Sequence, residues 1–143
     1  MRLAIILSML HLITFGIIAQ ENKKNDHPID IAYKKCLDNP NNQTTIGMVD
    51  CAIKARGAWE VEVEKYYKLL LTKVSEETKP LLRKSQETWK EYKKSEFDFS
   101  NEMYLSMGGT IWQIVAADNK TEFVKQRALL LKSHYENLTE KDE

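Results

Sequence analysis

Glycine is scarce in this chain, at five residues, and no glycine-rich run follows a strand-like segment. That excludes a phosphate-cradling loop, since Gly108-Gly109 lacks the flanking pattern. Histidine is equally thin, with three residues and no partner at a recognisable spacing. His27 and His134 read as solvated surface residues. Neither sign of charge dominates: 21 basic residues stand interspersed among 21 acidic ones. Such a chain has no electrostatic footprint for nucleic acid or an anionic membrane surface. No stretch alternates with period two, which argues against a sheet. Carboxylates such as Glu60 and Glu64 sit among lysines at helical spacing, as a solvated face with i,i+4 pairs does. The chain therefore reads as non-enzymatic, with no cofactor and no metal site.

What is present begins with an apolar run. Met1-Arg2 gives a basic start, Leu3 to Ala19 is mostly apolar, and a polar run opens at Gln20. A basic start, an apolar middle and a small boundary residue make a secretory signal peptide over residues 1–19. The competing reading is an uncleaved anchor. As a helix this run spans roughly 25 Å, short of the ~30 Å hydrocarbon core, and His11 near its centre disfavours residence in lipid. No stable membrane span is expected after cleavage. A flexible leader is expected over residues 20–28 and a frayed tail over 139–143.

Only two cysteines occur, Cys36 and Cys51, both beyond the apolar run. In an exported chain an even count favours a disulfide. Closing a loop of this size contributes about 3 kcal/mol in the chain-entropy model. A metal site would need further ligands, and a reactive thiol would meet oxidation in such a compartment; both alternatives are weaker.

Between residues 29 and 138 the pattern is helical throughout. A short helix over Asp30–Leu37 is ended by the turn formers Asp38 to Gln43. Thr44 or Thr45 caps a long helix carried to about Val74, with Met48, Ala52, Ala55, Trp59, Val63, Tyr66 and Leu70 on one face. Gly57 in its middle suggests a close packing contact. Another helix starts near Pro80, with Leu82, Gln86, Trp89, Tyr92, Phe99 and Met103 at helical spacing. Gly108-Gly109 breaks it. The last helix has Thr110 as a cap and Ile111, Ile114, Val115, Val124, Ala128, Leu131 and Tyr135 inward, with Asp118-Asn119-Lys120 as a point of interruption. The fold class is all-α: a small bundle of three long helices plus a short N-terminal helix tied by one disulfide. The aromatics at stripe positions read as core. Trp112, beside the glycine pair, is the aromatic best placed to face a partner.

The series Cys36, Met48, Cys51-Ala52, Trp59-Glu60, Val63, Tyr67, Gln86, Trp89, Tyr92, Gly108-Gly109 and Arg127 resembles the LprI family. The resemblance covers nearly the whole chain beyond the leader. Of these residues, Trp59, Tyr67, Gln86, Trp89, Tyr92, Gly108, Gly109 and Arg127 carry the family pattern, mainly in a structural role. The chain departs from it where members often have a second cysteine pair, at Phe97 and Asn119, and where they often have asparagine, at Glu64. The resemblance implies a helical bundle, export to the bacterial periplasm or beyond the cell, and inhibition of lysozyme by non-covalent binding. The alternative is an envelope interaction or structural module that binds another protein or peptidoglycan without inhibiting lysozyme.

Overall fold

The structure, a computed structural model, describes residues 26–140. The expected signal peptide, most of the expected leader and the last three residues lie outside the described residues. Four helices follow in order: α1 (Pro28–Leu37), α2 (Thr45–Lys73), α3 (Lys79–Ser106) and α4 (Ile111–Thr139). A short 3-10 turn, Pro40–Asn42, links α1 to α2.

Local chemistry explains the starts. Pro28 and Pro80 both occupy a first helical turn, where a missing N–H costs nothing. The His27 side chain accepts from the Ile29 amide at 3.3 Å, and the Thr44 hydroxyl accepts from the Gly47 amide at 3.1 Å. His27 is thus not the freely solvated residue expected: it caps α1 and packs on Trp59, ring centroids 4.4 Å apart. Thr110 stands at the head of α4 but makes no side-chain capping bond.

The core forms between α2 and α4. Trp59, Val63 and Leu70 from α2 meet Val124, Ala128 and Leu131 from α4, all buried. Thr121 meets Ala52, and Tyr66 meets Tyr135. That constant offset in numbering shows the two helices running parallel. Parallel neighbours need a long return connection, and α3 supplies it. Towards the α3–α4 turn, the buried residues are small, Ala52 on α2 and Ala116 and Ala117 on α4. There the Thr121 hydroxyl lies 2.9 Å from the carbonyl oxygens of both Ala52 and Ala117, and its one proton is shared between them.

α3 runs antiparallel to α4 as an outer layer. Its main anchor is Phe123, ringed by Trp89, Tyr92 and Phe97 at centroid distances of 6.1, 5.3 and 5.8 Å. Because α3 touches α2 little, only a narrow strip of it is covered. Tyr92, Phe99 and Met103, expected in the core, are exposed for that reason. Ile111, expected inward, is also exposed, and Ala116, Ala117 and Thr121 take the buried positions instead.

α1 is fastened to both core helices. The disulfide Cys36–Cys51 joins it to α2 with Cα atoms 5.8 Å apart. Lys125 of α4 donates to both carboxylate oxygens of Asp30 at 2.9 Å, and the Tyr33 hydroxyl donates to Asp118.

Two expectations are corrected by this packing. α4 is continuous through Asp118-Asn119-Lys120. Those side chains bond across helices, to Tyr33, Tyr104 and Asn101, rather than competing for their own backbone. Gly57 makes no close contact, since a Cβ there would meet nothing within 4 Å. The tight glycine is Gly47, where a Cβ would lie 2.6 Å from the Asn42 carbonyl oxygen.

Candidate functional site

The α3–α4 turn closes one end of the bundle. Gly108 and Gly109 adopt φ of 69° and 84°, a left-handed conformation that strains any residue with a Cβ. Two such residues in succession reverse the chain tightly and leave the turn projecting, its glycines exposed, with nothing within 4 Å of where a Cβ would stand. Leu105, Met107 and Ile111 flank it as exposed apolar residues.

Behind the turn lies a cleft of about 420 Å³. Val49, Ile53, Ala116 and Ala117 make its apolar floor, because the small side chains that let α2 and α4 approach leave room above them. Tyr104 and Trp112 form an aromatic wall, stacked with centroids 5.9 Å apart and planes 20° from parallel. Asn119 donates to the Tyr104 hydroxyl at 2.6 Å and fixes that ring. Asn101, Thr110 and Gln113 add uncharged polar groups to the rim.

Arg56 and Lys120 bring charge to the same cleft. Both lie against the Phe97 ring, 5.5 and 5.6 Å from its centroid. The groove continues past them along Glu60, Lys93, Lys94 and Asp98. Its two carboxylates are already engaged: Lys93 binds Glu60 at 2.8 Å and Lys94 binds Asp98 at 2.5 Å. Neither Arg56 nor Lys120 forms an ion pair among the described residues. Lys120 donates to the amide oxygen of Asn101. Burial, and then the neighbouring Arg56 charge, push the Lys120 ammonium below the usual lysine range, with Asp98 partly offsetting them.

The residues singled out in the sequence fall into three places. Gly108, Gly109 and Trp112 come together at this cleft. Gln86, Trp89 and Arg127 meet elsewhere, on the α3–α4 seam. There Arg127 donates to the side-chain amide oxygen of Gln86 at 3.1 and 2.9 Å and to the Ser85 hydroxyl at 3.2 Å, with its guanidinium over Trp89. Trp59 is buried in the core, Tyr67 packs half-buried against it, and Tyr92 is exposed on the Phe123 cluster. Trp112 is half-buried in the wall of the cleft. Sequence reasoning missed Arg56, Lys120, Asn101 and Tyr104. The available signal was a second face on α2, Val49-Ile53-Arg56-Glu60, in steps of three and four.

A family model described as "Lysozyme inhibitor LprI" matches residues 36–131. The chain belongs to the LprI family. Its match opens at the first cysteine of the disulfide and closes at Leu131 in the core. Where the family resemblance leads one to expect a second cysteine pair, this LprI domain has Phe97 edged on Phe123 and Asn119 bonded to Tyr104, so α3 is held to α4 there without a crosslink. Among solved structures, an uncharacterized protein from Burkholderia thailandensis is similar, with a TM-score of 0.76 and 27% identity. The alignment covers 80% of this chain and 57% of that one, so this chain spans a little over half its length. No curated protein matches the chain.

Proposed function

We propose that this protein is an exported envelope protein that inhibits a lysozyme-type muramidase by non-covalent binding, with no chemistry of its own. The family match carries the reading. The basic-then-apolar start of the chain and the Cys36–Cys51 disulfide support export to an oxidising compartment.

A muramidase holds its two carboxylates at the bottom of a cleft that receives the glycan. An inhibitor must offer a convex element with hydrogen-bond donors and apolar flanks. The Gly108-Gly109 turn has that form. It projects, its flanks Leu105, Met107 and Ile111 are apolar and exposed, and the uncapped first turn of α4 offers free amide donors beside it. Ile111 touches solvent over more than half its surface, at 58% exposure, so changing it leaves the fold intact. Ile111→Glu places a like charge against the muramidase carboxylates. It is expected to weaken a complex with a susceptible lysozyme at least tenfold in titration calorimetry, while the thermal midpoint stays put. Unchanged affinity would move the interface off this turn.

A further inference from the structure

The cleft behind the turn is concave, and a concave surface does not reach the bottom of another cleft. Its chemistry therefore calls for a small ligand rather than the muramidase itself. Three features define that ligand. The first is the stacked Tyr104–Trp112 wall, a platform for the flat apolar face of a ring. The second is a rim of Asn101, Thr110 and Gln113, whose amides and hydroxyl pair with the hydroxyl and acetamido groups of a sugar. The third is charge: Arg56 and Lys120 face the cavity without an ion pair, while Glu60 and Asp98 are held by Lys93 and Lys94. Two partly desolvated cations beside each other repel, and an anion placed between them removes that repulsion. A volume of about 420 Å³ suits one or two sugar rings.

We infer that this cleft binds a carboxylate-bearing sugar, with the ring against Trp112 and the carboxylate on Arg56 and Lys120. The turn glycines and Leu105 border both features, but the site does not depend on the muramidase reading, since Arg56, Lys120 and Trp112 carry it and Met107 and Ile111 lie outside its lining. The chemistry occurs in the muramyl sugars of bacterial cell wall and in uronic acids of other glycans.

The test titrates the disulfide-intact protein with N-acetylmuramic acid, N-acetylglucosamine and glucuronic acid, following heat and tryptophan fluorescence. N-acetylglucosamine has the same ring as N-acetylmuramic acid without the lactyl carboxylate. The muramic acid is expected to bind about tenfold more tightly than it, as a charge-assisted contact provides. Arg56→Gln and Lys120→Gln are each expected to erase most of that preference, with circular dichroism unchanged. Glucuronic acid binding as well as N-acetylmuramic acid would assign the site to acidic sugars at large, and weaker binding would assign it to cell-wall fragments. Equal binding of the charged and uncharged acetamido sugars, no binding by any of the three, or indifference to both substitutions would overturn the inference. Ile111→Glu should retain sugar binding, which separates a failure here from a failure of the inhibitor reading.

Discussion

Arg127 holds its charge half-buried with only neutral oxygens around it, two bonds to Gln86 and one to Ser85. Burial pushes its ionisation below the usual arginine range, although the group stays charged. Gln86 is itself buried, and its amide nitrogen has no hydrogen-bond partner. Gln86→Leu should therefore destabilise the domain by about 2 kcal/mol in urea titration, because it strands a desolvated guanidinium. A neutral result would mean that the guanidinium swings out to water. Tyr33 makes a second residue-scale prediction. Burial first, then its bond to Asp118 and the charge of that carboxylate, raise its ionisation well above the usual tyrosine value of about 10. A raised native value means that the unfolded tyrosine ionises first. The Tyr33 contribution is thus complete below about pH 10 and declines as pH rises beyond it. The stability difference between the native chain and Tyr33→Phe should be constant from pH 7 to 9 and shrink above 10. A difference flat to pH 11 would contradict the assigned environment.

At the scale of elements, α2 is the best-determined helix and α3 the least. Ala52, Ala55, Trp59, Val63 and Leu70 are buried where their spacing places them, because α2 is covered along its length by α4 and at one end by α1. α3 shows the same periodicity at Tyr92, Phe99 and Met103, yet it leans on α4 along a narrow strip, and periodicity alone does not tell how many neighbours a helix has. Glycines were legible as interruptions but not in their consequence. Gly57 lies open on α2, so Gly57→Ala should stabilise by about 1 kcal/mol. Gly47 faces the Asn42 backbone at 2.6 Å from a would-be Cβ, so Gly47→Ala should destabilise by about 1–3 kcal/mol. Thermal unfolding of the two variants reads opposite signs, and equal shifts would refute the contrast. The sequence showed Gly108, Gly109 and Trp112 as neighbours of one turn. It could not show that Arg56 and Lys120 join them, since those two come from different helices and meet only through the parallel packing of α2 and α4.

For the whole molecule, the order of the layers matters most. Parallel α2 and α4 share one core, α1 is fastened to it by the disulfide and by Asp30–Lys125, and α3 closes the far side. The outcome is a rigid support that presents one projecting turn and one cationic cleft at the same end. No helix among the described residues is long and apolar enough to cross a membrane, and none of their acidic, histidine or cysteine side chains cluster to hold a metal ion. The measurement that bears most directly on this account is lysis of a peptidoglycan-bearing cell suspension by lysozyme, followed by turbidity with increasing amounts of the disulfide-intact protein. The account predicts a dose-dependent slowing that saturates near one inhibitor per enzyme and is lost when the chain is reduced and unfolded. Undiminished lysis across several lysozyme types at a large molar excess of folded protein would contradict it.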